Sequence, residues 1–204
     1  MISAAFFRAD LPRGHCLVTP AWLGQLQQGH AVPAPPESHW RLFEVGCGAP
    51  LAFQTSHIAG AGYLDTECLE TIPFWNQVDD TLLLQYLLAC GIAHDSTVVL
   101  YGRPAAAAAR AAHLMMVAGV QDVRLLDGGL NAWVSAGQSV VSGEPHRYPP
   151  ATHFGGPFPA HPHWLISLEQ AKALSHDDTT TLVSIRTWAE FSGQTSGYAY
   201  IASP

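Results

Sequence analysis

The loop between an apolar run and an alanine-rich run holds the residues best placed to bind an anion. Residues 97–101 are typical of a buried strand, and residues 105–118 favour a helix that ends at Gly119. A loop that leads from a strand into a helix N-terminus offers backbone N–H groups and a positive dipole end to an anion or a thiolate. Arg103 and Arg110 could add positive charge there, but the loop contains no nucleophile.

The four cysteines are the remaining candidates for nucleophilic chemistry. They are Cys16, Cys47, Cys68 and Cys90, and their wide spacings indicate neither a zinc site nor a disulfide framework. Cys47 follows the strand-like residues 40–45, so it could face the sheet edge at which ligands bind in α/β folds. A structural or incidental role is nevertheless favoured for all of these thiols.

Histidines are also candidates, and the chain has eleven of them. His57 lies in a turn-rich stretch, where ordering the loop through hydrogen bonds is favoured over catalysis because no nucleophile accompanies it. His161 and His163 could hold a metal ion, but solvated side chains are favoured because no acid or thiol lies beside them. We therefore predict no metal site and no cofactor.

The composition limits the classes of protein to which the chain can belong. It has 204 residues, of which 48% are hydrophobic, enough for one domain or for one domain and part of another. The formal net charge of −7 argues against nonspecific nucleic-acid binding. No run reaches the roughly 18 apolar residues of a membrane helix, and the first residues lack the basic region of a signal peptide. The expectation is a cytoplasmic chain, although a longer parent protein could be exported.

Strand and helix signals alternate through the first two thirds of the chain and would position these residues. Thr19 begins a helix that ends before Gly29, and Asp79 opens a second helix that stops at Gly91. Residues 46–66 are turn-rich and irregular. The other predicted elements are strands at 40–45, 97–101 and 123–126 and helices at 105–118 and 130–137. This alternation predicts an α/β fold, with a parallel sheet and helices on both faces.

A change in composition divides the chain. Residues 143–164 are rich in Pro, Gly and His, which predicts an interdomain linker. The pattern then restarts, because Ser167 can cap a helix and residues 182–185 predict a strand. The predicted division is a lead, a domain, a linker and the truncated start of a second domain, at 1–18, 19–142, 143–164 and 165–204.

The last of these segments is interpreted as part of a tandem repeat. Roughly 40 residues are too few to close a hydrophobic core alone. The strand at 182–185 would therefore lack partners, so we expect residues after about 165 to be mobile or to pair with another chain.

Several motifs resemble the rhodanese (sulfurtransferase) family. SHIAGA at residues 56–61 is similar to the family's GHIPGA, and VQDVRLLDGGLNAW at 120–133 is similar to its V-x-V-L-x-G-G-x-x-x-W. The strand VVLY at 98–101 stands where the strand before the family's reactive loop would be. Residues 182–193 resemble the motif D-V-R-x-x-x-E-F-x-G, with Ser184 in the Asp place.

The resemblance covers about residues 19–142 and 165–204. In detail, the sequence resembles bacterial thiosulfate sulfurtransferases in which three rhodanese domains follow one another and only the last is catalytic. This chain would correspond to the middle domain and the start of the last.

The resemblance implies a rhodanese-like domain without its reactive group. Rhodaneses carry sulfane sulfur as a cysteine persulfide in a loop of the form C-x-x-G-x-R. By the resemblance, Gly102 takes the cysteine place, Ala105 the glycine place and Ala107 the place of the closing arginine. No catalytic residue is then assigned to the chain. The degenerate loop consists of Gly102, Arg103, Pro104, Ala105, Ala106 and Ala107.

Structural roles are implied for the other motif residues. Arg186 and Glu190 could pair if the stretch between them is helical. The complete set with an implied structural role is His57, Gly60, Asp127, Gly128, Gly129, Arg186 and Glu190.

Two hypotheses about function remain open at this point. The first is a non-catalytic domain with a structural or docking role within a thiosulfate sulfurtransferase. Its partners would be the remaining rhodanese domains and a sulfur donor such as thiosulfate, with no nucleic acid and no membrane. The alternative is an independent anion-binding module that uses Arg103 and Arg110 and has no enzymatic activity. Whether the chain is itself an enzyme stays open.

Overall fold

A sheet of five parallel strands lies at the centre of the structure, a computed structural model that describes residues 6–8, 10–37, 39–72, 74–103 and 105–196. The chain divides into two compact units, one ending at Pro162 and the other beginning at His163. The sheet belongs to the first unit. In the ranges just given, no helix is long and apolar enough to span a bilayer.

Strands and helices alternate along the first unit. The strands are β1 (Leu17–Val18), β2 (Arg41–Gly46), β3 (Gly62–Asp65), β4 (Glu70–Thr71), β5 (Asn76–Gln77), β6 (Thr97–Gly102) and β7 (Asp122–Leu126). The helices are α1 (Pro20–Gln27), α2 (Leu51–Thr55), α3 (Asp80–Ala89), α4 (Ala105–Ala118) and α5 (Gly129–Ser135). The central sheet has the order β1-β7-β6-β2-β3, while β4 and β5 form a separate antiparallel hairpin. The predicted α/β fold with a parallel sheet is confirmed.

The middle strand β6 is buried on both faces of the sheet. Val99 and Tyr101 pack in one cluster with Trp22 of α1, Phe53 of α2 and Trp133 of α5. The alternate residues of β6 point to the other face, because side chains alternate along a strand, and they are buried as well. Helix α4 packs on β6, β7 and β2. An all-buried parallel strand of this kind explains why residues 97–101 read as a continuous apolar run.

Helix boundaries follow the capping residues in the sequence. Thr19 Oγ1 accepts a hydrogen bond from the backbone N–H of Trp22 at 3.3 Å, and Asp79 Oδ1 accepts one from Thr81 at 2.8 Å. These bonds satisfy N–H groups that have no partner within the first turn of a helix. The predicted starts of α1 and α3 are thus confirmed to within a residue, and α4 has the predicted bounds.

The turn-rich stretch 46–66 is more regular than the sequence indicated. It contains α2 and β3, and β3 pairs with β2 so that Phe43 lies opposite Gly62. The prediction of an irregular stretch was wrong because these elements have only five and four residues. Elements this short do not show a clear hydrophobic period.

The stretch rich in Pro, Gly and His bonds to helix ends of the first unit, to which it belongs as far as Pro162. We call residues 143–162 the strap. The strap N–H of Ala151 donates to the carbonyl of Leu88 at 2.8 Å, near the end of α3. The N–H of His161 donates to Val117 at 2.9 Å, near the end of α4. Prolines prevent regular structure but leave the other N–H groups free to bond to helix ends, which composition alone does not reveal.

Tyr148 fixes the middle of the strap to β2. Its hydroxyl accepts from the backbone N–H of Leu42 at 3.0 Å and donates to the carbonyl of Gly60 at 3.0 Å. The Arg41 guanidinium lies 4.9 Å from the centre of the tyrosine ring. One side chain therefore satisfies main-chain groups from β2 and from the turn before β3.

The second unit contains two short helices, α6 (Leu168–Leu174) and α7 (Trp188–Phe191). Ser167 caps α6 as predicted. The predicted strand at 182–185 is not formed, and that prediction was wrong. A strand needs a neighbouring strand to satisfy its backbone groups, and the described part of this unit provides none. Ile185 is 99% exposed as a result.

Replacing Tyr148 by phenylalanine should detach the strap at its centre. The Leu42 N–H would lose its partner, so we expect the free energy of unfolding to fall by about 1–3 kcal/mol. Urea denaturation measures this loss. The exposed strap residue His153, changed to alanine, is the control and should leave stability within about 0.5 kcal/mol. Equal effects of the two changes would contradict a role for the hydroxyl.

Candidate functional site

The carboxyl ends of β2 and β6 meet beside the N-terminus of α4 and form the place where ligands bind in open α/β sheets. In the register of these strands Glu44 lies opposite Tyr101 and Val45 opposite Gly102. A cavity of about 310 Å³ opens here. We call it the edge cavity, and its lining residues are Glu44, Val45, Gly46, Cys47, Ala49, Pro50, Ala52, Phe53, Tyr63, Arg103 and Ala107.

The degenerate loop begins at the last residue of β6. Gly102 is buried, and Ala105, Ala106 and Ala107 form the first turn of α4. Ala107 lines the edge cavity. Pro104 lies outside the described residues. The loop thus has the strand-to-helix setting that the sequence predicted, and Gly102 brings no side chain to it.

The Asp127-Gly-Gly turn packs against this loop. Gly128 and Gly129 have φ values of +70° and +56°, in the left-handed region that favours glycine. A Cβ added to Gly129 would lie 2.3 Å from the carbonyl oxygen of Gly102. The glycine is therefore required by the close approach of two backbone segments.

Arg103 is bonded to the protein itself. Its Nε donates to Glu44 Oε1 at 2.8 Å. Its Nη2 donates to the carbonyl of Ala52 at 2.9 Å and also to the carbonyl of Ser56. The guanidinium thereby ties the loop after β6 to β2 and to both ends of the α2 region. An anion at Arg103 would have to compete with this set of bonds.

Arg110 is likewise paired. Its Nε donates to Glu70 Oε1 at 2.6 Å, and the Glu70 side chain is only 7% exposed. Its Nη1 lies 3.2 Å from Nδ1 of His113. Each of the arginines predicted to attract an anion is thus held by a buried glutamate, so the anion-binding hypothesis requires an ion pair to open at either position.

Glu44 is a site residue that the sequence reasoning missed. It is 2% exposed, and its Oε2 receives no hydrogen bond of ordinary geometry from the described protein atoms. The nearby Tyr101 hydroxyl accepts from the N–H of Ile58 at 3.1 Å. Burial, then the charge of Glu44 and, to a smaller degree, a hydrogen bond with the Glu44 side chain raise the pKa of Tyr101. The available signal was a glutamate among the apolar residues Leu42, Phe43 and Val45 of the strand-like run 40–45.

Cys47 lies in the edge cavity and is exposed. Its Sγ donates to Glu67 Oε1 at 3.6 Å. Asp65 is close by, because its Oδ1 accepts from the backbone N–H groups of Gly48 and Glu67. A persulfide-forming cysteine is normally surrounded by cations and N–H donors, so this acidic setting differs from that of a catalytic thiol.

The other cysteines lie away from the cavity lining. Burial raises the pKa of Cys90, at the end of α3, to about 12. Burial and then the Asp65 charge raise the pKa of Cys68. Both thiols therefore remain protonated at neutral pH and are poor nucleophiles. Cys16 is half-buried beside β1.

His57 and Gly60 lie in the turn before β3. His57 is buried, its Nδ1 is 2.9 Å from the carbonyl of Phe53, and its ring stacks on that of Phe53 at 3.8 Å. Gly60 has φ +76°, and its carbonyl accepts from Tyr148. These contacts order the chain between α2 and β3. Among the described residues, no group of three or more His, Cys, Asp and Glu side chains is placed to hold a metal ion.

Arg186 and Glu190 lie in the second unit at the start of α7. Glu190 Oε2 accepts from the backbone N–H of Thr187 at 3.0 Å and from its hydroxyl at 2.7 Å. These bonds, and to a lesser degree the Arg186 charge, lower the pKa of Glu190. The predicted Arg186–Glu190 interaction is therefore secondary to a helix cap.

The comparisons with known proteins agree with this geometry. The sequence profile of the "Rhodanese-like domain" matches residues 36–136, which include β2, the edge cavity, the degenerate loop and the whole of α5. The chain carries a rhodanese-like domain. The motifs at 56–61 and 120–133 are thus assigned to the correct family.

Curated relatives and solved structures extend the match beyond that domain. The chain is 49% identical over 191 residues to "Thiosulfate sulfurtransferase YnjE" of Escherichia coli (strain K12), covering 94% of this chain and 44% of the relative. A crystal structure of YnjE has a TM-score of 0.89 at 48% identity, covering 95% of this chain and 46% of that one.

A more distant match is an enzyme with a different activity. The anaerobic ergothioneine biosynthesis enzyme from Chlorobium limicola has a TM-score of 0.86 at 31% identity, covering 95% of this chain and 49% of that one. The chain spans less than half the length of each of these two relatives. The chain is therefore similar in sequence to a thiosulfate sulfurtransferase and shares its fold with a relative of different activity.

Changing Arg103 to alanine should destabilise the rhodanese-like domain, because it leaves the Glu44 carboxylate buried without its partner. We expect a loss of about 2–3 kcal/mol, reduced from the value for a fully buried pair because a third of the arginine side chain is exposed. Chemical denaturation is the measurement, and Arg147→Ala in the strap is the control.

The double variant Glu44→Gln with Arg103→Ala should recover part of that loss. Glutamine removes the buried charge that the single variant leaves unpaired. A double variant that is less stable than Arg103→Ala alone would show that Arg103 does not stabilise the domain by pairing with Glu44.

Proposed function

We propose that the chain is part of a thiosulfate sulfurtransferase and that its rhodanese-like domain does not itself carry sulfur. The observation that carries the proposal is Gly102 at the carboxyl end of β6, where the family's C-x-x-G-x-R loop would begin with cysteine. Membership of the thiosulfate sulfurtransferases rests on the identity to the Escherichia coli relative. The activity of the whole protein is part of the proposal.

Sulfur transfer has requirements that this loop does not meet. In the reaction a cysteine thiolate attacks the sulfane sulfur of thiosulfate, the S–S bond breaks, and sulfite leaves with the bonding electron pair. The enzyme then holds a persulfide anion, which a thiophilic acceptor takes. A thiolate at a helix N-terminus and a cation for the donor are both needed. Gly102 supplies no thiol, and Arg103 is bonded to Glu44.

The second unit supports a tandem arrangement. Its motif at 182–193 resembles the opening of a rhodanese-like domain, and large apolar side chains are exposed on it. These are Trp164, Ile166, Leu168, Leu182, Val183, Ile185, Trp188 and Phe191. Apolar groups of this number are normally covered by other protein. We therefore assign residues 165–204 to the start of a second rhodanese-like domain, which the first would support by docking.

The chain should transfer sulfur from thiosulfate to cyanide only at the uncatalysed rate. Thiocyanate formation is measured with the 204-residue chain, with Cys47→Ser as the matched variant and the Escherichia coli relative as the active control. Intact-mass spectrometry after thiosulfate treatment should show no added sulfur atom. Turnover that disappears in Cys47→Ser would overturn the proposal and make Cys47 the sulfur carrier.

A further inference from the structure

We infer that the edge cavity is a binding site for a compact organic cation that carries N–H donors, such as a guanidinium or amidinium group. It would take this class of ligand in place of the anion that the family's reactive loop binds. The inference concerns the charge and hydrogen-bonding groups of the cavity and does not depend on the proposed function.

One carboxylate oxygen of Glu44 is buried without a hydrogen bond of ordinary geometry. Glu44 lines the cavity, its side chain is 3% exposed, and one carboxylate oxygen is already bonded to Arg103. The other oxygen, Oε2, receives no hydrogen bond of ordinary geometry. A buried carboxylate oxygen left in this state costs free energy comparable to a lost charged hydrogen bond. A ligand with an N–H donor in the cavity would recover that free energy.

The charged groups around the cavity are mostly carboxylates. Glu44 and Arg103 neutralise each other in the cavity wall, while Asp65 and Glu67 lie beside Cys47 at its rim. Tyr63 is also in the lining, and its pKa is raised to about 12, first by burial and then by the charges of Asp65 and Glu44. The local field therefore favours a cation and disfavours thiosulfate or another dianion.

The cavity is small, and its walls are largely apolar. Phe53, Ala49 and Ala52 are among the apolar residues of a cavity of about 310 Å³. A strongly hydrated ammonium ion would lose its water on entering such a space, whereas a guanidinium group is more weakly hydrated and presents several N–H donors in one plane. A compact ligand of this kind matches the Glu44 Oε2 acceptor and the apolar walls together.

Methylguanidinium is the probe that tests the inference. It is titrated into the ¹⁵N-labelled chain, and amide shifts are followed at Gly46, Cys47 and Phe53. We expect saturable shifts at these residues with methylguanidinium. Tetramethylammonium, a cation without N–H groups, and thiosulfate should give none. Saturation by tetramethylammonium as well would overturn the role of the N–H donors, and tighter binding of thiosulfate would overturn the role of the charge.

Two variants separate binding from a nonspecific effect on the fold. Ala107→Leu fills the cavity from α4 and leaves the Glu44–Arg103 pair in place, while Ala109→Leu makes the same change at an exposed position of that helix. Leucine and alanine are both strong helix formers, so both variants should fold. Glu44→Gln and Ala107→Leu should each weaken binding about tenfold or more, and Ala109→Leu should not.

Each outcome bears on the inference. If no saturable shift occurs with methylguanidinium in the unmodified chain, the cavity holds water only and the inference fails. Binding that survives Ala107→Leu at full strength would place the cation elsewhere and overturn it too. Failure here would leave the sulfur-transfer proposal untouched, because that proposal depends on Gly102 and is measured by thiocyanate formation.

Discussion

The ion pair between Glu44 and Arg103 determines how the rhodanese-like domain is built at its ligand-binding edge. Glu44 lies inside a buried strand, where an unpaired carboxylate would be costly, so an arginine must reach it. Arg103 comes directly after the next strand of the sheet and also bonds two carbonyls of the α2 region. Strand β2, the loop after β6 and helix α2 are therefore held in one arrangement. The edge cavity is the space that this arrangement encloses.

The same pair sets the electrostatic character of the site. A rhodanese loop that transfers sulfur needs its cations directed toward an incoming anion. Here the cation after β6 is directed into the protein, and carboxylates surround the one exposed thiol of the cavity. The strand-to-helix setting predicted for a sulfurtransferase loop is present, while its arginine is paired with Glu44 and the groups beside the exposed thiol are acidic. The site therefore has the backbone arrangement of a sulfurtransferase loop without the side chains that sulfur transfer needs.

The sequence predicts the regular elements well and the site only in part. Caps at Thr19 and Asp79 and the apolar run of β6 are local signals, and they predict α1, α3 and β6 because the physical cause lies in neighbouring residues. The strap shows the limit, since its prolines indicate a linker but its N–H groups bond to helix ends far along the chain. The partners of Arg103 and Arg110 are missed for the same reason: Glu44 and Glu70 lie 59 and 40 residues away in sequence.

The Asp127-Gly-Gly turn has a consequence for how families are recognised. Gly129 is required because its backbone meets the main-chain carbonyl of Gly102, and every amino acid has that carbonyl. The turn would be demanded equally if residue 102 were cysteine. A sequence signature built on such glycines therefore detects the shared architecture. It does not report which side chain stands at position 102, on which catalysis depends. Active and inactive members of a family can therefore match it equally well.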